Sequence, residues 1–471
     1  MIKLPPSFTA QLTILQQEGY SLARFFSWWL HHPFTYSVTI KKALVITPKV
    51  KNLTRISLFI LASLVILSFY LKIYFLTFIP PAIFLLEPFI FLFLSILIIT
   101  PYEIVNRRRV IGLVRKEILT HKNLTTIGIT GSYGKTSVKD FLFTILSGYK
   151  ETLKTPESYN TVFGIAKVVD LELLSRTHFF ICEMGAYVRG EIKELTHMIP
   201  PEYAILTAIG TQHLERFKNL TNTTLAKFEL IDSTPKSHAL ANLDNQFIAE
   251  NLKQPRYQNV RTYSLQNPHA DFFVSQYSLS SHGITLTLDH SGQTYNFKSP
   301  LFGTSNLYNL TAAISMALML KVPPQVISQQ VQLIKPSPHR LELKKINRAT
   351  LIDNAFSSNE EGFTAIIKDI KNLPGKKVLI TPGIIELGLK TAQAHQNLGR
   401  LSSSVFDEFI LVGKSIRTLS FQQGLISSSP ASRRHPLISF IPNSANLWPL
   451  VEKLSRDYDW ILIENDLPDT F

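Results

Sequence analysis

The sequence predicts an α/β protein in which a transmembrane helical hairpin precedes two successive parallel-sheet domains. Three observations predict it. Ile56 to Thr100 is almost continuous Leu, Ile, Phe and Val. From Leu124 onward, short apolar runs alternate with segments of helical period. Between two such series stands "IKPSPHRLE", whose prolines suit a linker. The domain boundaries that follow are 1–55, 56–100, 101–123, 124–334 and 335–471.

Residues 1–55 read as an N-terminal interfacial segment. Its stretch "YSLARFFSWWLHHPF" mixes Trp, Phe, Arg and His, and fits a helix lying along a lipid interface as well as a packed helix. Ile56 to Ile79 and Ala82 to Thr100 are each long enough to cross a hydrocarbon core of about 30 Å. Lys72 and Glu87 are awkward in lipid, which keeps a buried or re-entrant hairpin as the competing reading. Lys41, Lys42, Lys49, Lys51 and Arg55 precede the apolar block, and Arg107, Arg108, Arg109, Arg115 and Lys116 follow it in a basic linker, 101–123. Both flanks should therefore face the cytoplasm. The block starts too late and runs too long for a cleaved signal peptide.

The chain has 471 residues, too many for one core, and a hydrophobic fraction of 45%. Its net charge of +14 gathers around the hairpin, where anionic lipid heads account for it without a nucleic-acid partner. Cys182 is the single cysteine, which excludes a disulfide framework; in "FFICE" it reads as a buried strand residue.

"LTTIGITGSYGKTSVKDFLFTIL" carries the first chemical signal. Thr125 to Thr130 reads as a buried strand, and Val138, Phe141, Leu142, Ile145 and Leu146 recur at helical spacing. The turn between them therefore opens a helix N-terminus, where free N–H groups and the helix dipole favour anions. Gly131 and Gly134 let the backbone close on phosphate, Lys135 can reach terminal phosphates, and the Thr136 hydroxyl can ligate Mg²⁺. The first glycine of the usual phosphate loop is missing: its place is Ile129.

After the loop, "HFFICE", "EYAILTAI" and "SHALAN" read as parallel strands, and the polar alternation between Asp271 and Ser299 as an antiparallel addition. Beyond the linker, "ATLIDNA", "KKVLITPG", "EFILVGKS", "HPLISFIP" and "DWILIEND" form the second series.

"GITGSYGKTS", "SYNTVFGIAKVV", "ICEMGAYVRGEI", "LTAIGTQHLERFKNL", "TLAKFELI", "ANLDN", "GTSNLYNLTAAISMAL", "HRLE", "TPGIIELG" and "ENDLPDTF" occur in that order. Together they resemble the Mur ligase family, ATP-dependent amide ligases of peptidoglycan synthesis, over about Leu124 to Phe471. They are most similar to the branch that adds D-alanyl-D-alanine to a muramoyl tripeptide. The family's loop is of the TGxxGKT type, which accounts for the missing glycine. The resemblance implies a P-loop ATPase domain followed by a Rossmann-like C-terminal domain, and a location at the bacterial inner membrane with the catalytic domains in the cytoplasm.

The resemblance also implies roles. Thr130, Gly131, Ser132, Gly134, Lys135, Thr136 and Ser137 would hold ATP with Asn309, Arg340 and Asp353. Thr136 and Glu183 would ligate Mg²⁺; His213 and Lys227, the latter carbamylated by CO₂, would hold a second Mg²⁺. Lys135, Lys227 and His213 would act in catalysis, Glu215 would orient the site, and Asn160, Thr161, Gly164 and Glu386 would meet the muramoyl-peptide and D-Ala-D-Ala substrates. In "TNTTLAKFELI" the apolar Leu225, Phe228 and Ile231 leave Lys227 near the edge of a helix, where a snorkelling lysine is the alternative. Asn306 and Asn309 share a helix face; Asn309 suits an adenine edge, and Asn306 serves equally well as a cap.

Two departures stand out. The family's "DDSYNSNP" run is here "DNAFSSNEEGF", so Asp353 is kept while Asn354 and Ser357 replace an Asp and an Asn. In place of the small uridine-binding domain expected before the loop lies the apolar hairpin. Uridine recognition has moved, or the acceptor is lipid-linked. The rivals are a related ligase acting on lipid-linked peptidoglycan or poly-γ-glutamate, and a nucleotide-binding scaffold that recruits other cell-wall enzymes.

Overall fold

The computed structural model describes residues 4–33, 44–156, 159–210, 214–356, 358–385, 387–427, 437–443 and 447–464. The chain divides into two compact units, residues 1–110 and 111–471.

The first unit is helical: α1 (Pro6–Gln17), α2 (Leu22–His31), α3 (Pro48–Tyr70), α4 (Ile79–Leu86) and the start of α5 (Phe89–Thr120). α3 and α5 are long and apolar enough to cross a membrane. α3 starts earlier than Ile56 because Thr47 and Pro48 make a good N-terminus, with Val50 N–H donating to Thr47 Oγ1 at 3.2 Å. The expected second arm, Ala82 to Thr100, is broken at Glu87. Pro88 follows it and disfavours helical backbone at the preceding residue. Residues 101–120 are helix rather than linker, as α5 runs on past Pro101. In the segment read as interfacial, α1 is packed, with Ser7 Oγ donating to the Leu85 carbonyl at 2.7 Å and Phe8 against Phe84. In α2 one face packs, with Phe25 buried and Trp29 stacked on Phe89, while Phe26 and Leu30 are exposed.

The second unit contains two sheets. The first has order β2-β3-β1-β4-β5-β6-β7-β8-β9, built from β1 (Thr125–Thr130), β2 (Thr152–Lys154), β3 (Phe179–Glu183), β4 (Tyr203–Leu206), β5 (Ala239–Asn242), β6 (Arg261–Ser264), β7 (Phe272–Ser280), β8 (Gly283–His290) and β9 (Gln293–Ser299). It is parallel through β7 and antiparallel from β7 to β9, as the change from apolar runs to alternation implies. The second has order β10-β11-β15-β12-β13-β14, from β10 (Glu342–Ile346), β11 (Ala349–Asn354), β12 (Lys377–Thr381), β13 (Glu408–Val412), β14 (Leu437–Ile441) and β15 (Trp460–Glu464). β10 was not expected. It pairs antiparallel at the edge, where half-exposed Lys and Glu replace the apolar run that marks an inner strand.

The helices of this unit are α6 (Lys135–Ser147), α7 (Val162–Glu172), α8 (Glu191–Met198), α9 (Leu214–Phe217), α10 (Leu220–Asp232), α11 (Gln246–Leu252), α12 (Thr304–Met319), α13 (Pro324–Val331), α14 (Glu360–Lys371), α15 (Thr391–Ser402), α16 (Ile416–Ser427) and α17 (Leu447–Leu454). Two polar ties join the sheet domains. Asp369 on α14 accepts from the Thr304 N–H that opens α12 (2.7 Å), and Ser337 of the linker donates to Asp140 on α6 (2.6 Å).

α15 and α16 approach through facing glycines. A Cβ at Gly399 would lie 2.2 Å from the Phe421 carbonyl oxygen, and one at Gly424 2.1 Å from that of Gln396. Gly424→Ala should therefore force the helices apart and destabilise the protein by about 2 kcal/mol. A denaturant titration will show this as a lower midpoint at unchanged slope.

Candidate active site

β1 delivers its C-terminal end to the turn 131–134, and α6 begins at Lys135. Gly134 has φ +84°, and a Cβ there would lie 2.5 Å from Asn309 Oδ1; one at Gly131 would lie 2.0 Å from Thr207 Oγ1. Only bare backbone fits this turn. No side chain caps α6, so the N–H groups of its first turn face the loop's concavity. Thr130 and Ser132 brace the turn rather than open onto it: Thr130 Oγ1 donates to the Met184 carbonyl (2.7 Å), and Ser132 Oγ accepts from Gly210 N–H (3.0 Å).

Glu183 ends β3 and is buried. Its Oε2 accepts from Thr136 Oγ1 at 3.0 Å and from Lys139 Nζ at 3.1 Å. Lys139 was missed by sequence reasoning. Its signal was a lysine amid the apolar residues of α6, four positions after Lys135. Lys135 donates to the Gly131 carbonyl (2.8 Å), and burial lowers its pKa; Glu183 opposes that shift, while Arg340 and Lys139 reinforce it.

Lys227 lies on α10, and its expected place at the helix edge is corrected: it is 3% exposed. The chain turns this face onto Phe217, with Nζ 5.7 Å from the ring centroid. Burial, reinforced by Lys135, holds its pKa well below that of an ordinary lysine, against the opposing carboxylates of Glu191, Glu183 and Glu229. A small chamber joins it to the phosphate loop, lined by Ser132, Lys135, Asn160, Gly185, Tyr187 and Lys227. Asn160 is thus brought to the site. Thr161 instead caps α7, accepting from Gly164 N–H at 3.4 Å. His213, Ser357, Glu386 and most of "ENDLPDTF" lie outside the described residues, as does the Glu215 side chain.

On the other side of the loop a cleft opens between the two sheet domains. Gly134, Ser137, Asn309 and Arg340 line it. Arg340 stacks on Phe356, 4.1 Å from the ring centroid, and burial lowers its pKa. Asp353 is not among the lining residues: its Oδ2 accepts from His339 Nδ1 (2.9 Å) and Lys344 Nζ (2.8 Å). Lys344 also pairs with Glu342 at 3.0 Å, so the His339, Glu342 and Asp353 group is already neutralised by a lysine. Asn306 does not cap α12. The N-cap is Gly303, and the Asn306 amide donates to the Phe302 carbonyl at 3.0 Å. Sequence reasoning also missed Asp244, which accepts from Tyr308 Oη (3.0 Å) and Leu265 N–H (2.7 Å) and sets one wall of the cleft.

Residues 129–317 match the Mur ligase middle domain. The "UDP-N-acetylmuramoyl-tripeptide--D-alanyl-D-alanine ligase" of Escherichia coli (strain K12) is 27% identical over 302 residues, spanning 64% of this chain and 67% of that protein. The chain carries a Mur ligase middle domain and is similar to MurF ligases. Its fold agrees. MurF from Acinetobacter baumannii superimposes with a TM-score of 0.67 at 24% identity, over 76% of this chain and 77% of that one. MurF from Thermotoga maritima, solved in complex with ADP, gives 0.67 at 20% identity over 76% and 80%.

The buried amine gives the protein a pH signature. A lysine whose pKa falls on folding binds its proton more readily in the unfolded chain, so stability is lost as pH drops from the ordinary lysine value through the folded one. Lys227→Met removes that loss. In carbon-dioxide-free buffer it should melt several degrees above the unsubstituted protein at about pH 7, the gap closing towards about pH 10; differential scanning calorimetry across that range checks it.

Proposed function

We propose that the chain is an ATP-dependent peptide ligase of peptidoglycan precursor synthesis, joining D-alanyl-D-alanine to a UDP-muramoyl tripeptide through an acyl phosphate. One observation carries the reading: the phosphate loop opens on one side to a cleft large enough for a nucleotide and on the other to the Lys227 chamber. A carboxylate is a poor electrophile. Its oxygen attacks the γ-phosphorus of ATP and ADP departs; the amine of D-Ala-D-Ala then attacks the acyl carbon, and phosphate leaves from a tetrahedral intermediate.

The chain's residues fit those steps. Lys135 and the α6 N-terminus offset charge on the transferring phosphoryl group, Arg340 reaches it from the linker, and Asn160 faces the acceptor. Thr136 Oγ1 and Glu183 Oε2, 3.0 Å apart, offer oxygen ligands that suit Mg²⁺. Bound there, Mg²⁺ would neutralise phosphate charge. Lys227, whose pKa burial lowers, would in its neutral form add its amine nitrogen to CO₂ and release a proton, leaving a carbamate anion to hold a second Mg²⁺ with His213. Glu386 and "TPGIIELG" would bind the amine.

A second reading concerns where the acceptor comes from. Phe59, Ile66, Phe69, Ile90 and Ile98 on α3 and α5 are exposed apolar residues, a surface suited to lipid. The first unit would hold the enzyme at the cytoplasmic face of the inner membrane, where a lipid-linked muramoyl peptide is an alternative acceptor.

ADP release by the detergent-purified protein with D-Ala-D-Ala should require a muramoyl tripeptide and fall at least about a hundredfold in Lys135→Ala. Comparing the UDP-linked and lipid-linked acceptors decides between the readings; turnover with neither sinks both. For the anchor, Lys72→Cys should react with a membrane-impermeant maleimide in intact cells and Lys116→Cys should not, the buried Cys182 staying silent in both. The opposite pattern removes the hairpin.

A further inference from the structure

At the tip of β11, Asp353 and Asn354 project to opposite faces of the strand, yet both end on the linker. Asp353 Oδ2 accepts from His339 Nδ1 at 2.9 Å, and Asn354 Oδ1 accepts from the Leu341 N–H at 3.2 Å. Arg340 stands between those two residues. His339 and Leu341 have left-handed backbone, φ +57° and +55°, which side-chain-bearing residues keep only where their surroundings hold them. The clamp that holds them presents Arg340 to the cleft.

Asn354 is itself held. Its Nδ2 donates to Glu464 Oε2 at 2.8 Å, across the β11–β15 pairing in which the two residues are register partners. Glu464 is fully buried, and Ser358 Oγ donates to its other carboxyl oxygen.

We propose that Asn354 and Glu464 are positioning residues for nucleotide binding. Glu464 fixes the Asn354 amide so that its oxygen holds the Leu341 N–H and aims Arg340 at the terminal phosphates. The proposal rests on the ATP-ligase reading. It also accounts for an Asn where the family's pattern has Asp: a carboxylate at 354 would face the Glu464 carboxylate at hydrogen-bond distance, and the two could not both ionise. Burial already pushes the Glu464 carboxyl up to about 7, while Ser358 and Asn354 oppose the shift. The titratable groups on the elements around it are engaged elsewhere: Asp353 on β11 with His339 and Lys344, Glu361 on α14 towards Tyr133, and His395 on α15 with the Ile384 N–H.

Calorimetric titration of ATP and of AMP into the full-length, detergent-solubilised protein tests this. Asn354→Asp should weaken ATP binding about tenfold at about pH 8, and less at about pH 6, where the carboxyl pair keeps a proton. AMP, which lacks the terminal phosphates, should lose far less. Adding Glu464→Gln to Asn354→Asp should restore ATP affinity, because the glutamine amide donates to the new carboxylate; the rescue also shows that the single variant was folded. Unchanged ATP binding by Asn354→Asp at the higher pH, equal losses for ATP and AMP, or a double variant no better than the single one overturns the proposal. Failure of the unsubstituted protein to bind ATP overturns the ATP-ligase reading instead.

Discussion

Burying several lysines beside one carboxylate is costly, and the way this chain meets that cost governs the rest of its site. Lys139 takes the direct ion pair with Glu183, 3.1 Å away and sealed from solvent on both sides. Among the described residues Lys135 and Lys227 have no such pair, and their pKa values fall. The site therefore gathers buried amines of lowered pKa beside the uncapped N-terminus of α6, a setting that favours an anion. Under the proposed reading a polyphosphate would supply negative charge to Lys135 and the α6 N-terminus, and a carbamate would supply it at Lys227. Affinity for phosphate would then draw on electrostatic strain in the protein rather than on a single strong contact.

The same shortage explains why the second sheet domain matters. The first domain holds the loop, but the further cation that lines the cleft, Arg340, comes from the linker. A linker arginine is useful only if its backbone is fixed. Ser337 tied to Asp140 fixes one end of the linker against α6, and the tip of β11 fixes the other. The Asp369 contact with the start of α12 holds the domains together without occupying the cleft.

Much of this was legible in the residues. Apolar runs marked the inner strands, and the strand, turn and helix around Gly131 to Thr136 could be placed because the pattern there is local. The resemblance placed Glu183 and Lys227 by motif. Long-range facts were not legible. Nothing in "TNTTLAKFELI" says that Lys227 is buried, because Phe217, which covers it, belongs to the preceding helix. Nothing around Asp353 in the sequence says that Lys344 and His339 both donate to its Oδ2. The break at Glu87 was legible in Pro88, yet the continuous apolar composition masked it.

That break bears on what the first unit is. In hydrocarbon every backbone polar group has to find a partner within the protein, so a spanning helix interrupted at Glu87 is viable only where another element covers the gap. α1 is that element. Ser7 donates to the Leu85 carbonyl, Gln11 donates to the Glu87 carboxyl, and Phe8 packs on Phe84, so two consecutive turns of α1 meet the end of α4 and the break. A tether needs two plain spans. Under the proposed membrane reading, an arm broken at a carboxylate, with a buried third helix supplying its hydrogen bonds, would make the first unit a folded domain rather than a plain tether.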